Sequence, residues 1–359
     1  MILFDYRIFF LQKFGGISRY FIELIKQLEK DGISYELQSM LHQNFYLKNI
    51  NTKKKLNFYI NNYPRYSRKI IEKLNRLIFE RTVINSKYNI FNNNYYENYK
   101  IKKNIIKVST IYDFTHEIFS KEYDYKRNLK SKSINQTDHF FCISKNTKND
   151  LCKFYNIDKN KISVIYLGGD HLPKPNDKIN TKPFILYVGY RDKYKNFIEL
   201  LDAYSQSQKL QKDFNIICFG NDNFTNEETS FIKKFNLSEK IVLFRGSDQL
   251  LANLYASASC HVITSKYEGF GITAVEAYNF DCPVIHSGNS SLQEIAPLSG
   301  KYEMSAESLK EKLEKILYSI EMKNELILQG RQLRELFTWK NCSKKTIKKY
   351  KELTSIKTI

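Results

Sequence analysis

Glu268 and Glu276 stand eight positions apart in the stretch EGFGITAVE, on either side of a Gly-Phe-Gly turn and the opening of a helical pattern (Ile272, Val275, Ala277). The preceding HVIT, residues 261–264, reads as a short buried strand, so the glycines fall at a strand-to-helix junction. A helix start carries partial positive charge and presents N–H groups, which suits the amides of Gly269, Phe270 and Gly271 to a diphosphate. Glu276, about one and a half turns into the helix, is placed to accept hydrogen bonds from ribose hydroxyls, and Glu268 to lie beside a sugar. Alone, the turn has a plainer meaning, because glycines at such junctions occur throughout doubly wound folds.

A second junction strengthens the first. FILYV at 184–188 is an apolar run of strand length, followed by Gly189, the basic loop Tyr190 to Asn196, and a helical pattern of Phe197, Leu200, Leu201 and Tyr204. Arg191 and Lys195 therefore lie at the carboxyl end of a strand, the edge where open α/β sheets bind ligands, and their charges suit a pyrophosphate clamp. A solvated basic loop is the ordinary alternative. Paired glutamates also suggest a hydrolase, but hydrolytic pairs act across a sugar ring from separate elements, whereas Glu276 sits well inside the helix that Glu268 precedes.

The elements that must position these residues alternate along the chain, as in an α/β fold of mostly parallel sheets covered by helices. In the first half, strands are expected at Ile2 to Phe4, Tyr35 to Leu37, Asn89 to Phe91, Ile105 to Thr110, His139 to Ile143 and Ile162 to Ile165. In the second they are expected at Phe184 to Val188, Asn215 to Phe219, Ile241 to Phe244, His261 to Thr264 and Val284 to His286. Gly220-Asn221 and Arg245-Gly246 follow two of these and are expected to line a nucleotide site. Ile17, Tyr20, Phe21, Leu24, Ile25 and Leu28 recur at helical spacing behind Gly15 and Gly16, whose amides could meet a phosphate or serve only a tight helix entry. GGDHLPKPNDKINTKP, with three prolines and no apolar periodicity, reads as a joint. The expected domains are thus residues 1–170, a linker at 171–183, residues 184–338, and a basic terminal helix at 339–359.

Together these pieces resemble the retaining glycosyltransferases of family four, and within it the mannosyltransferases and related enzymes of O-antigen and capsular polysaccharide. The likeness runs through Gly15 to Tyr20, Ser109 to Asp113, FCISKNTKNDL, ISVIYLGG, the Tyr187 to Asn196 loop, Phe244-Arg245-Gly246, Leu254 to Ala258, and EGFGITAVEA with Cys282 to Ile285 after it. The resemblance implies the GT-B arrangement, two Rossmann-like doubly wound domains facing across a cleft, the first binding acceptor and the second a nucleotide-sugar, with the terminal helix packing back on the first. It implies a metal-independent hexosyltransferase that retains anomeric configuration, with Arg191 and Lys195 on the leaving diphosphate and Glu268 orienting the donor sugar. GDP-mannose is weakly favoured as donor and a lipid-linked or oligosaccharide as acceptor. Many relatives carry a His-Asp pair where this chain has Tyr112-Asp113; Asp113 can keep its place, and His116, three residues further, is either the substitute imidazole or a surface histidine.

Composition bounds these expectations. The chain has 359 residues, enough for two domains. Residues 1–180 hold 32 Lys+Arg against 17 Asp+Glu and residues 181–359 hold 25 against 21, so the +19 excess lies mostly in the first half. Its densest part, Lys53 to Arg81, interleaves cations with Phe58, Ile60, Tyr63, Tyr66, Ile70, Ile71, Leu74 and Leu77, which suits peripheral contact with an anionic membrane, or is only a solvated face. No run of about 18 apolar residues occurs, and Asp5 and Arg7 interrupt the first apolar stretch, so a cytoplasmic enzyme at the inner face of the membrane is expected. Six cysteines show no CxxC pair, and the Asp-x-Asp that holds a metal-diphosphate elsewhere is absent from the sequence, so neither metal nor other cofactor is expected. Two other readings fit parts of the chain, a sugar-nucleotide epimerase or hydrolase on the same fold, and a basic nucleic-acid-binding protein, although no nucleic-acid motif accompanies the charge.

Overall fold

Strands that are apolar along their whole length need cover on both faces, and helices between successive strands supply it. The structure is a computed structural model that describes all residues except 39, 49, 51–56, 85–87, 103, 120–123, 192, 221 and 357–359, and no side chains at 84, 124–128 and 356. Its strands are β1 (Ile2–Phe4), β2 (Tyr35–Leu37), β3 (Leu41–His42), β4 (Phe58–Tyr59), β5 (Ile90–Asn93), β6 (Ile106–Ile111), β7 (His139–Cys142), β8 (Ile162–Val164), β9 (Phe184–Val188), β10 (Asn215–Phe219), β11 (Ile241–Phe244), β12 (Cys260–Ile263) and β13 (Val284–His286). Six form a parallel sheet in the order β2-β1-β5-β6-β7-β8, five form another in the order β11-β10-β9-β12-β13, and β3 pairs with β4. The expected strands agree with these to within a residue or two; the β3-β4 pair and a helix at Arg7–Leu11 were not anticipated.

Contacts divide the chain into two units, Met1–Leu167 with Trp339–Ile359, and Gly168–Thr338. In the first, helix Gly16–Lys30 buries Tyr20, Phe21, Leu24, Ile25 and Leu28, the stripe its spacing specifies. Phe21 meets Phe4 of β1 edge-on at 5.9 Å. The terminal helix, Trp339–Ile356, joins this unit: Trp339 lies 6.3 Å from Tyr20, and Tyr350 bonds Asn92. Asp5 ends β1 by accepting the N–H groups of Arg7 (2.7 Å) and Asn94 (2.8 Å), which turns the chain into helix Arg7–Leu11.

In the second unit β9 is central, with the order reversing between β9 and β12. The carboxyl ends of strands at such a reversal are where open α/β sheets hold ligands. The segment expected to be a linker, 171–183, groups with the second unit and is bonded along helix Asp248–Ser257. Asn176 N–H donates to Asn253 Oδ1 (3.0 Å), Ile179 N–H to Ser257 Oγ (3.2 Å), and Gln249 Nε2 to the Lys174 carbonyl (2.9 Å). Prolines bar this stretch from a strand ladder, and several of its backbone groups take side-chain partners instead.

Candidate functional site

At the carboxyl end of β9, Gly189 adopts φ +118°, a conformation that favours glycine, and its N–H donates to the Phe219 carbonyl at 2.9 Å. Gly220 must also be small, since a Cβ there would lie 2.8 Å from the Gly189 oxygen. Beyond Gly189 a single 3-10 turn, Lys193–Lys195, precedes helix Phe197–Ser205. The turn is fastened to the exit of β12: Thr264 Oγ1 donates to the Lys195 carbonyl (2.7 Å) and Lys266 N–H to that of Tyr194 (2.8 Å). This fastening carries Lys195 Nζ to 2.6 Å from Glu268 Oε1, which also accepts Ser265 Oγ at 2.6 Å. The backbone of Glu268 is gripped in turn, its N–H donating to Ser290 Oγ (2.7 Å) and its carbonyl accepting from Ser290 (3.0 Å) and Ser291 (2.9 Å). The lysine and glutamate side chains remain 21% and 15% exposed, so a ligand can reach a pair that the loop has already oriented.

Glu276 lies on helix Ile272–Tyr278, as the spacing indicates, behind Gly271 at φ +92°. Its Oε2 accepts the Tyr255 hydroxyl at 3.0 Å and its Oε1 faces His171 Nε2 at 3.2 Å. Burial, and then the Glu276 carboxylate, raise the Tyr255 phenol well above its usual range, so it stays a hydrogen-bond donor. Gly169 makes room for this arrangement, since a Cβ there would lie 2.6 Å from Val275 Cγ1 and 2.9 Å from the Glu276 nitrogen. His171 is absent from the expected site because it sits in what reads as a joint. Gly168-Gly169 beside it was the only local sign of close packing. Phe270 turns its ring inward, 5.8 Å from Phe337.

Arg191 does not share the Lys195 arrangement. Its buried guanidinium lies 3.3 Å from Glu228 Oε2 and donates at 2.8 Å to the carbonyls of Asp222 and Asn223. Phe224 lies under it at 4.8 Å, and Nη1 is buried without a hydrogen-bond partner. The expected clamp of Arg191 with Lys195 is thus divided: Lys195 meets Glu268, whereas Arg191 holds the 222–228 loop. A pocket of about 700 Å³ opens beside Arg191, with Lys193, Asn196, Thr225 and Lys266 among its lining. Exposed Arg245 bonds Asn223 of that loop, whereas Gly246 lies against Leu250 of the helix that follows it. Asp192 and Asn221, also expected in this region, lie outside the described residues.

The first unit's candidates are held separately. Gly15 precedes helix Gly16–Lys30, and a Cβ there would strike the Gln12 side chain, whose Oε1 accepts the Ser18 N–H at 3.3 Å; Gly16 has open space around it. Asp113 Oδ1 accepts the Thr115 N–H at 3.0 Å, starting helix Thr115–Ile118, which carries half-buried His116. Lys130 locks this turn from below, donating to the Asp113 carbonyl (2.5 Å) and to Glu117 Oε2 (3.0 Å), 3.9 Å over the Phe114 ring. Tyr112 is buried and packs inward, its hydroxyl donating to the Asn94 carbonyl at 3.1 Å. Beside it, Asp5 is pushed up to about 7 by burial.

The arrangement can be set beside known proteins. The family model for glycosyltransferase family 4 matches residues 14–171, and that for glycosyl transferases group 1 matches residues 170–333. An uncharacterized glycosyltransferase of Methanocaldococcus jannaschii is 31% identical over 61% of this chain and 60% of its own length. An O-antigen chain mannosyltransferase of Salmonella typhimurium is 32% identical over 45% of this chain and 46% of its own length. The chain therefore spans about half to three-fifths of these relatives in matched sequence. Sucrose-phosphate synthase from Thermosynechococcus elongatus shares the fold, with a TM-score of 0.76 at 16% identity over 99% of both chains. Two successive family models spanning residues 14–333, over the two parallel-sheet units and the Lys195, Glu268 and Glu276 site, make this chain a member of the family 4 glycosyltransferases with the GT-B fold.

Proposed function

We propose that this glycosyltransferase is a retaining, metal-independent hexosyltransferase. Its donor is a nucleotide-sugar, with GDP-mannose favoured, and its acceptor a lipid-linked or oligosaccharide chain in surface polysaccharide synthesis. The observation that carries the reading is the Lys195–Glu268 pair at the carboxyl ends of β9 and β12, where the strand order of the second sheet reverses. Breaking the C1–oxygen bond to a diphosphate leaves negative charge on the leaving group and positive charge on the sugar ring, so fixed charges of both signs serve the transition state. Lys195 offsets the first. Glu268 is bonded through Oε1 and offers its other oxygen to the sugar, while Glu276 takes the ribose. The departing phosphate helps deprotonate the incoming hydroxyl, which gives retention without a protein nucleophile. The likeness to an O-antigen mannosyltransferase supports mannose as the donor sugar.

Thermal denaturation with GDP-, UDP- and dTDP-sugars tests the donor, since a ligand at 100 times its dissociation constant stabilises by about 2.7 kcal/mol. Transfer from the stabilising sugar-nucleotide to a polyprenyl-diphosphate saccharide, undiminished by EDTA, is the expected result. Release of free sugar with no acceptor would point to a hydrolase, epimerised donor to an epimerase, and loss of turnover in EDTA to a metal. Salt-sensitive binding of single-stranded nucleic acid in place of donor would sink the reading altogether.

The first unit supports a peripheral membrane contact at the inner face of the cytoplasmic membrane. Helix Arg68–Ile84 buries Ile71, Asn75, Phe79 and Val83, while Ile70, Leu74 and Leu77 stand 71%, 43% and 49% exposed near Tyr66 at 83%. Arg65, Lys69, Lys73 and Arg81 are also exposed along this stretch, and the helix's acids are engaged, Glu72 with Arg7 and Glu80 with Arg76. Apolar tips among unopposed cations match an anionic bilayer, each cation near the surface contributing on the order of 1 kcal/mol. Residues 51–56, which include three of the expected cations, lie outside the described residues. Co-sedimentation with phosphatidylglycerol vesicles should fall in the triple variant Ile70→Ser, Leu74→Ser, Leu77→Ser; unchanged binding removes this part. Among the described residues no helix is long and apolar enough to cross a membrane.

A further inference from the structure

We propose that His171 is a positioning residue for the Glu276 carboxylate, setting its plane for a ribose diol; the assignment rests on the donor-site reading above. A glutamate side chain on a helix has three rotatable bonds, and two hydroxyls of one ribose need both its oxygens at a fixed tilt. Here each oxygen already faces a polar group from a different element: the Tyr255 hydroxyl of helix Asp248–Ser257 donates to Oε2, and His171 Nε2, in the segment after Gly168, lies 3.2 Å from Oε1, within donating distance. A carboxylate oxygen accepts at two lone-pair positions, so each keeps one for a ligand hydroxyl. The carboxylate can only accept, so Nε2 of His171 is the protonated nitrogen and the imidazole acts as a donor.

The approach of His171 is built rather than incidental. Residue 169 lies so close to Val275 and Glu276 that only glycine fits, with Val275 Cγ1 at 2.6 Å, the Val275 carbonyl carbon at 2.8 Å and the Glu276 nitrogen at 2.9 Å from where a Cβ would stand. Gly169 N–H is bonded in turn to the Phe337 carbonyl at 3.1 Å. The backbone on the amino side of His171 is therefore pressed against the helix that carries Glu276, and both side chains are more than nine-tenths buried. Held this way, the carboxylate needs little reorganisation when a nucleotide arrives.

Calorimetric titration of the full chain with GDP and UDP, and with their 2′,3′-dideoxy counterparts, tests the assignment. The protein should prefer the ribonucleotide. His171→Ala should weaken ribonucleotide binding about tenfold, the loss of one hydrogen bond to a charged group, while the dideoxy nucleotide binds as before. His171→Gln, which keeps an N–H donor, should restore much of the preference. Equal losses for ribo and dideoxy nucleotides in His171→Ala would mean a role in packing alone and overturn the proposal. If Glu276→Gln abolishes the ribose preference but His171→Ala leaves it intact, the His171 assignment fails by itself. If Glu276→Gln also leaves it intact, the donor-site reading fails first.

Discussion

Arg191→Met should destabilise the second unit with no ligand present. The guanidinium is buried against Glu228 at 3.3 Å and donates to two carbonyls at 2.8 Å. Methionine fills much of the same volume but strands a buried carboxylate, to which Thr225 N–H (2.8 Å) still donates, and strips both carbonyls of their donor. At 3.3 Å and an effective dielectric of about 20 the gross attraction is about 5 kcal/mol. Breaking a buried pair from one side costs about 3–5 kcal/mol. For a unit of this size the loss corresponds to a lowering of Tm by roughly 6–20 °C. Amide hydrogen exchange in β9 and β10 reads it directly, since 3 kcal/mol accelerates exchange through global opening by more than about a hundredfold. Adding Glu228→Gln should recover part of the loss, because the stranded charge is gone. Unchanged protection in β9 and β10, together with weaker nucleotide binding, would refute this and return Arg191 to the ligand.

Three further outcomes follow from the geometry. Gly271→Ala, at φ +92° with Leu292 Cδ2 2.8 Å from the new Cβ, should cost about 1–2 kcal/mol in urea denaturation; adding Leu292→Ala should relieve the clash but not the backbone strain, and full recovery would contradict the strain. Lys130→Met should destabilise the first unit by about 3–5 kcal/mol, since Glu117 would keep only the Tyr155 hydroxyl among the described residues; an unaltered unfolding midpoint would show that the pair is dispensable. His261 and His286 are depressed to about 4 by burial, so the folded second unit binds fewer protons than the unfolded chain, and its stability is full above about 6.5 and declines as pH falls toward 4. Each should cost about 2 kcal/mol at pH 5, and a Tm of the second unit that is flat from pH 7 to 5 would rule this out. Asp5, raised to about 7, works oppositely in the first unit, its contribution weakening as pH rises from about 4 to 7.

Strands such as β1, β9 and β10 were legible because each is a short apolar run closed at once by Asp5, Gly189 or Gly220, and helix Gly16–Lys30 because its buried stripe repeats at the helical period. Glycines 189, 269 and 271 announced the turns for the same reason: backbone conformation at a strand end is a local demand. That Lys195 and Glu268 belong to one site was inferable from family likeness, but their pairing spans 73 residues and exists because β9 and β12, far apart in sequence, lie side by side. Strand order is set by how helices pack across the sheet, which no single segment encodes. The same holds for the turning of Arg191 toward Glu228, the inward packing of Tyr112, and the docking of a proline-rich joint that brings His171 to Glu276. Residue types and spacing settled what chemistry this chain can attempt, and the packing of distant elements decided which charges meet, because burial and pairing energies depend on neighbours that the local sequence does not contain.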